Sequence, residues 1–268
     1  MIVVKIMGGL GNQMFQYALG RCMSLKNDQK LILDRSPYLR SFRRRYSLKF
    51  FQIEASTSYK FGLNFFKENL FYCLEKNFFN FEKSILDNTN CYLDGFWQNE
   101  NYFIDIKETL KKDFTLKDKY YQKLINKKYL EQIQNQQSVS IHVRRGDCVK
   151  NKKVSKIYKS CSLDYFSNAI EKINSYVKNA KFFCFSDDLN WCKNKMKSKN
   201  ITFIENTKDY EEMVLMSNCK HNIISNSTFS WWAAWLNNYK EKIIICPKKW
   251  RYDDLNTKSL IPLDWIKI

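Results

Sequence analysis

Glycine and proline are scarce in this chain, 7 and 3 among 268 residues, which excludes long disordered linkers. Histidine is scarcer still, present only as His142 and His221, and no two of the nine cysteines are spaced CxxC. That is poor material for a zinc site and for a disulfide framework, and it predicts reduced thiols in a cytoplasm. No run of about 18 apolar residues occurs, so no transmembrane helix is expected. The N-terminal MIVVKIMGG holds too short an apolar run for a secretory signal. Gly8-Gly9-Leu10-Gly11 is neither GxGxxG nor followed by GK[ST], which excludes a dinucleotide fingerprint and a P-loop. Acidic residues are outnumbered, 27 against 45 Lys plus Arg, for a formal charge of +18. Such an excess favours anionic partners: nucleic acid, acidic lipid or phosphorylated metabolites. Most of it is spread as Lys among Asn, a solvated surface, with local clusters at Arg40–Arg45 and Lys150–Lys159.

What is present is core material, 44% hydrophobic and 16% aromatic, in a length that suits two ordinary domains or one large one. The organising stretch is Ser138–Asp147, SVSIHVRRGD. Val139, Ile141 and Val143 alternate with Ser140 and His142, the period of a β-strand. Gly146 offers the backbone angles of a tight turn, which puts Arg144 and Arg145 where strand becomes loop. Ligands of α/β sheets bind beyond the carboxyl ends of strands, and two guanidinium forks there suit a phosphate or diphosphate. A surface turn with solvated charges is the alternative.

Along the chain, Ile2–Ile6 reads as a buried strand, and a glycine-rich turn leads from it into a helix over Met14–Leu25, the start of an α/β unit. Lys30–Asp34 is a second strand, and the chain from Ser36 to Ser58 is basic and irregular. Phe61–Phe81 interleaves aromatics with Lys and Glu and predicts an amphipathic helix, for core packing or for docking on a membrane surface. Cys91–Phe103 is a strand and turn in which Trp97, Gln98 and Asn99 suit either a sugar or a packed turn. A helix follows around Ile104–Lys112, and Tyr120–Gln134 is a Lys-rich helix that ends the first domain. Beyond residue 138, strands at Lys181–Phe185, Ile201–Ile204, Asn222–Ser225 and Lys242–Cys246 alternate with helices at Leu163–Val177, Trp191–Met196, Tyr210–Met216 and Trp231–Leu236. This alternation predicts a doubly wound parallel sheet.

Three strand ends there carry polar chemistry: His142/Arg144/Arg145/Asp147, Ser186/Asp187/Asp188 and Asn226–Ser230. Parallel strands bring all three to one crevice. The last is a run of small hydroxyl residues at a helix start, where backbone N–H groups receive an anion. With the arginines it makes a diphosphate cradle that needs no metal, although an Asp187-Asp188 pair is also able to hold a divalent cation.

GGLGNQMFQYA, YLDGFWQNENYF, HVRRGD, FCFSDD and SNSTFSWWAAWL, in this order from residue 5 to about residue 237, resemble the bacterial α-1,2-fucosyltransferases of glycosyltransferase family 11. The resemblance implies an α/β, GT-B-like pair of Rossmann-type domains facing a cleft. On this reading residues 1–135 form the acceptor-side domain, 136–250 the GDP-fucose-binding domain, and 251–268 a tail packing back. It implies GDP-β-L-fucose as donor with no cofactor and no metal, and transfer with inversion to the 2-hydroxyl of a terminal β-galactoside. Members commonly build surface polysaccharide such as O-antigen.

Mapped onto this chain, the resemblance sets the diphosphate against Arg144, Arg145 and the N–H groups of Ser227, Thr228 and Phe229, next to Asn226. Guanine needs a carboxylate, which falls on Glu211 or Glu212, with Glu212 preferred because Met213 and Met216 face the core. His142 is placed near the nucleoside, Asp187 and Asp188 on the donor side. Asp147 is the candidate base, or an orienter of the arginines. Gly9, Gly11, Asn12, Gln13 and Trp97 are assigned to the cleft and acceptor side. A cytoplasmic enzyme, held peripherally on an anionic membrane, is the expected setting. A nucleic-acid binder would explain the charge, but no such module is visible. A sugar-nucleotide-modifying enzyme would show a cofactor fingerprint, which is absent.

Overall fold

The computed structural model describes residues 1–40, 44–59, 70–125, 128–253 and 255–268, with only the backbone of Arg40, Ile125, Asp147, Lys150 and Lys153. It divides into two compact units: Met1–Lys117 with Asn256–Pro262, and Asp118–Leu255 with Leu263–Ile268.

The first unit is built on β1 (Ile2–Lys5), β2 (Leu31–Asp34), β3 (Ser56–Ser58), β4 (Phe71–Leu74) and β5 (Cys91–Asp94). Their order is β3-β2-β1-β5-β4, and every neighbouring pair is parallel. Helix α1 (Leu10–Lys26) follows the glycine turn and is buried along most of its length. A Cβ on Gly20 would come within 2.4 Å of Val4 Cγ2, so glycine lets this helix lie directly on the central strand. Asn27 ends α1 by donating its side-chain amide to the Met23 carbonyl. Helix α2 (Lys107–Asp113) closes the unit, its buried Asp113 accepting from Tyr17 Oη at 2.7 Å and Arg21 Nε at 3.1 Å.

The second unit holds β6 (Gln137–Val143), β7 (Ala180–Ser186), β8 (Ile201–Phe203), β9 (His221–Ile223), β10 (Ile244–Cys246) and β11 (Ile266–Lys267). Read from its far edge the order is β8-β7-β6-β9-β10-β11, again all parallel. This is the dinucleotide-fold order 3-2-1-4-5-6, whose direction reverses between β6 and β9. Helices α3 (Asp118–Ile125), α4 (Tyr129–Gln134), α5 (Gly146–Lys150), α6 (Lys152–Ile157), α7 (Leu163–Tyr176), α8 (Leu189–Lys195), α9 (Asp209–Asn218) and α10 (Thr228–Leu236) accompany it. Val139, Ile141 and Val143 of β6 pack in one core with Phe166, Ala169 and Ile173 of α7. Burying such side chains contributes about 1.5–3 kcal/mol each. The opposite face of β6 is buried too, although it is polar. Asn222 donates to Ser140 Oγ at 2.7 Å and Asn237 donates to Asn222 Oδ1 at 2.7 Å, which satisfies that face.

Several sequence expectations change. In Phe61–Phe81, residues 71–74 form the edge strand β4 rather than helix, because they pair with β5 throughout, while 60–69 lie outside the described residues. Tyr120–Gln134 is not one helix but α3 and α4, and both belong to the second unit, where Tyr120 packs edge-on against Tyr210 of α9 at 5.6 Å. The division therefore falls at Lys117/Asp118 instead of residue 135. The tail is shared: residues 256–262 join the first unit, and β11 extends the second sheet beside β10.

Candidate active site

At the switch point of the second sheet, β6 runs out at Val143 and β9 at Ile223, and the residues that follow meet. His142 is buried, its Nδ1 2.9 Å from Ser225 Oγ and its ring 5.6 Å from that of Phe229. Burial drives its pKa down to about 4, with the Arg144 charge adding and Asp187 opposing, so the imidazole is neutral. Arg144 Nη1 donates to the Asn226 carbonyl at 2.9 Å, which holds the guanidinium at the start of α10. That helix begins with Ser227 in extended conformation, without a side-chain cap and without an acid in its first turn. Buried Trp231, Trp232 and Trp235 anchor it, and its positive end is set beside Arg144.

Arg145 is fixed differently. Its backbone N–H and that of Gly146 donate to the two carboxylate oxygens of Asp187 at 2.8 and 2.9 Å. Its Nε donates to Asp188 at 3.2 Å, and the guanidinium carbon lies 4.0 Å from the centre of the Trp191 ring. Asp188 also caps α8 through the Trp191 N–H. An open pocket of about 360 Å³ lies between the Arg145–Val149 segment and Asp187–Asn190. Gly146 is needed for room rather than for a turn: it starts α5 at an ordinary φ, and a Cβ there would sit 2.6 Å from Asp187 Oδ2.

On α9, Glu211 is buried and accepts from the Lys208 N–H at 2.8 Å, so it caps its own helix. Glu212 accepts only the Thr207 hydroxyl at 2.9 Å among the described groups. Burial pushes its carboxyl up to about 7; Thr207 opposes this, and the charges of Asp209, Asp187 and Glu211 add to it. A carboxyl poised there, within the field of Asp187, is a candidate receptor for paired N–H donors.

Some expected ligand residues are committed elsewhere. The Asn226 amide donates to the Lys159 and Trp250 carbonyls at 3.0 Å each, so this side chain ties loops together, and it is the backbone carbonyl of Asn226 that receives Arg144. Asp187 receives the backbone N–H groups of the arginine turn and Asp188 caps α8, so both carboxylates already have partners within the protein. Among the described residues no group of three or more His, Cys, Asp or Glu stands together to hold a metal ion. The Asp147 side chain lies outside the described residues. Thr228 and Phe229 are half-buried in the first turn of α10.

In the first unit the glycine turn is shaped by Gly8, the residue at φ +82°, while Gly9 is the N-cap of α1 and Gly11 is buried within it. Asn12 is half-buried and accepts from Gln98 at 3.1 Å. Gln13 is fully buried: it donates to the Gly8 and Arg45 carbonyls at 3.1 and 2.8 Å and accepts from the Ser47 N–H at 2.8 Å, so it braces the loop instead of meeting a sugar. Trp97 is not a sugar platform either. Glu75 takes the N–H groups of Phe96 and Trp97 at 2.7 and 3.1 Å, holding Trp97 at φ +56° with its ring buried edge-on to Tyr102.

The sequence reading missed the supports under the arginines. Trp191 was signalled, three residues after the capping Asp188 at a helix start. Tyr158, whose ring centre is 5.2 Å from the Arg144 guanidinium, and Arg251, which donates to Tyr158 Oη at 2.5 Å, carry no local signal.

Two α/β units with all-parallel sheets, one of them bearing arginines and a helix end without a side-chain cap at its switch point, define a GT-B fold. The structure of NodZ α-1,6-fucosyltransferase soaked with GDP-fucose shares it, with TM-score 0.53 and 14% identity over 88% of this chain and 91% of that one. The chain belongs to glycosyltransferase family 11, whose family model matches residues 1–268. An α-1,2-colitosyltransferase of Escherichia coli is 34% identical over 295 residues, covering 100% of this chain and 98% of that protein. The O-antigen biosynthesis glycosyltransferase WbnK of Escherichia coli is 31% identical, covering 97% of this chain and 98% of that protein. No described helix is long and apolar enough to cross a membrane.

Proposed function

We propose that this glycosyltransferase moves L-fucose from GDP-β-L-fucose to the 2-hydroxyl of a terminal β-galactoside, with inversion, in the synthesis of a surface polysaccharide. The observation that carries the reading is the meeting of Arg144, Arg145 and the uncapped start of α10 at the switch point of the second sheet. The diphosphate sits against these groups, and Glu212 receives the N1–H and N2–H of guanine. As the glycosidic bond breaks, charge grows on the leaving GDP, and Arg145 with the helix end stabilises it. The acceptor hydroxyl gives its proton to a carboxylate, for which Asp147 is the proposed base. Gly9 and Asn12 of the first unit are proposed to bind the acceptor. The deciding assay offers GDP- and UDP-linked sugars with galactosides and reads the product by mass. A fucosylated galactoside is expected; product from UDP-sugars alone would overturn the reading. The similarity to a colitosyltransferase supports a second reading, a GDP-linked colitosyl donor at the same site, and that sugar belongs in the panel.

Full turnover is expected in excess EDTA, since guanidinium groups and a helix end take the place of a cation. Activity that vanishes with EDTA and returns with Mn²⁺ would sink that expectation.

The charge of +18, with exposed Phe71, Leu74 and Phe78 near Lys76 and Lys83, supports peripheral attachment to an anionic membrane. Acidic liposomes should sediment the protein at low salt and release it at high salt. Absence of sedimentation at every salt concentration would remove this role.

A further inference from the structure

The donor reading leaves one strongly basic stretch without a role. From residue 35 to residue 53 the chain holds Arg35, Arg40, Arg43, Arg44, Arg45 and Lys49 and no Asp or Glu. Arg35 and Arg44 lie at the carboxyl ends of β2 and β1 in the first unit, the end of a parallel sheet where ligands bind. Arg35 follows β2 directly, its N–H donating to the Ser58 carbonyl at 2.8 Å. Its guanidinium carbon lies 4.5 Å from the centre of the Tyr46 ring and 4.0 Å from that of Tyr59. No described carboxylate pairs with it. The adjacent Asp34 accepts from Ser36 and from the Tyr92 hydroxyl, and among the described residues the Arg35 side chain makes one long hydrogen bond, 3.5 Å to Thr57 Oγ1. Arg35 Nε is buried without a hydrogen-bond partner among the described residues.

A second orphan lies beside it. Tyr46 is 7% exposed, and its hydroxyl is also buried without a partner among the described residues. The Tyr46 ring is 6.4 Å from that of Tyr38, whose hydroxyl donates to the Gly8 carbonyl at 2.8 Å. The cluster therefore adjoins the glycine turn. There α1 starts with no side-chain cap and no acid in its first turn, and Arg44 Nη1 would lie 3.5 Å from a Cβ on Gly9. A stacked guanidinium, a buried hydroxyl donor and the positive end of a long helix, with no neutralising carboxylate among the described residues, form an incomplete ion pair. Leaving such donors unmet costs free energy that an anionic oxygen group would recover.

We infer that Arg35 and Tyr46 form an anion site on the first unit that selects an acceptor carrying a negatively charged group, a carboxylate or a phosphate, in addition to its galactose. This rests on the fucosyl-transfer reading for the galactose but on the first unit alone for the charge. The two possible sources of that charge are a uronate in the acceptor glycan and the diphosphate of a lipid-linked acceptor.

The test measures kcat/KM with GDP-fucose for a neutral β-galactoside, a galactoside bearing a uronate, and a galactoside on a lipid-analogue diphosphate. One anionic acceptor is expected to exceed the neutral one at least tenfold at low salt, and which one it is identifies the source. Arg35→Met should bring that ratio to within about twofold of unity, and Tyr46→Phe should lower it without unfolding the protein. Wild-type turnover with no preference between charged and neutral acceptors would overturn the inference and leave the donor reading intact. If no acceptor turns over, inorganic pyrophosphate titrated into protein saturated with GDP still decides the matter. Binding that Arg35→Met abolishes supports the site, and unchanged or absent binding overturns it. An Arg35→Met protein that loses affinity for GDP itself would also overturn it, because the anion would then be the donor's.

Discussion

Arg145→Lys is expected to lower kcat by about a hundred- to a thousand-fold, the loss typical when one donor to a developing charge is removed, about 3–4 kcal/mol. Lysine keeps the charge but lacks the fork, and its ammonium has no planar face to lie on Trp191, now 4.0 Å below the guanidinium. The Nε bond to Asp188 is also lost. That bond lies at a half-exposed carboxylate and is worth at most about 1 kcal/mol, a few degrees in Tm. A catalytic role and a merely structural one therefore separate cleanly. Acting on the departing GDP, the variant loses kcat more than GDP affinity and keeps its Tm to within those few degrees. If Arg145 only braced the turn, melting would fall and turnover of the folded fraction would survive. A stable variant with near-normal kcat would refute the assignment.

Glu212→Gln should erase the preference for GDP over ADP and UDP. A charge-assisted pair of hydrogen bonds is worth about 1.5–3 kcal/mol, or about ten- to a hundred-fold in affinity. Wild-type protein is expected to bind GDP at least tenfold more tightly than the other two, and calorimetry with the three diphosphates reads both proteins. The pH dependence adds a signature. With its carboxyl pushed up to about 7, Glu212 becomes protonated as pH falls below neutrality and stops accepting from guanine. GDP affinity should then drop by up to about tenfold per pH unit below 7, and the glutamine variant should be flat. In the ligand-free protein the sign reverses. A carboxyl whose folded pKa is raised from 4.5 to about 7 contributes most stability below 4.5 and loses it as pH rises to 7. Equal affinity for the three diphosphates, or a GDP affinity independent of pH in the wild type, would remove Glu212 from the base pocket.

Much of the second unit was legible because its signals are local. The alternation of Val139, Ile141 and Val143 and the adjacency of Arg144 and Arg145 are features of neighbouring residues, and they hold whatever the rest of the chain does. The helix after Asn226 was legible for the same reason, although it starts at Thr228 rather than at Trp231. The preference for Glu212 over Glu211 was read from Met213 and Met216, and the structure adds an independent argument for it. Both glutamates lie in one turn, and only the bond from the Lys208 N–H to Glu211 shows which carboxylate is committed to the cap.

The amide and indole groups near the start of the chain were misread for a related reason. Gln13 and Trp97 occur in stretches whose composition suits a sugar site, yet their orientation is set by Arg45, Ser47 and Glu75, more than twenty residues away in the chain. A sequence shows that a polar side chain is available, whereas only the fold shows whether a distant backbone group has already taken it. Asn226 is the same case, held by carbonyls at 159 and 250.

By itself, then, the sequence determined the strand that ends in two arginines, the small hydroxyl run at a helix start and the parallel α/β class, since each follows from short-range periodicity and backbone geometry. The tertiary structure alone decided the strand order that sets β9 beside β6 and so brings Arg144 to the carbonyl of Asn226, 82 residues on. It also decided which polar side chains are left to meet a ligand. Both depend on hydrogen bonds and packing between segments far apart in the chain, and no local pattern encodes those partners.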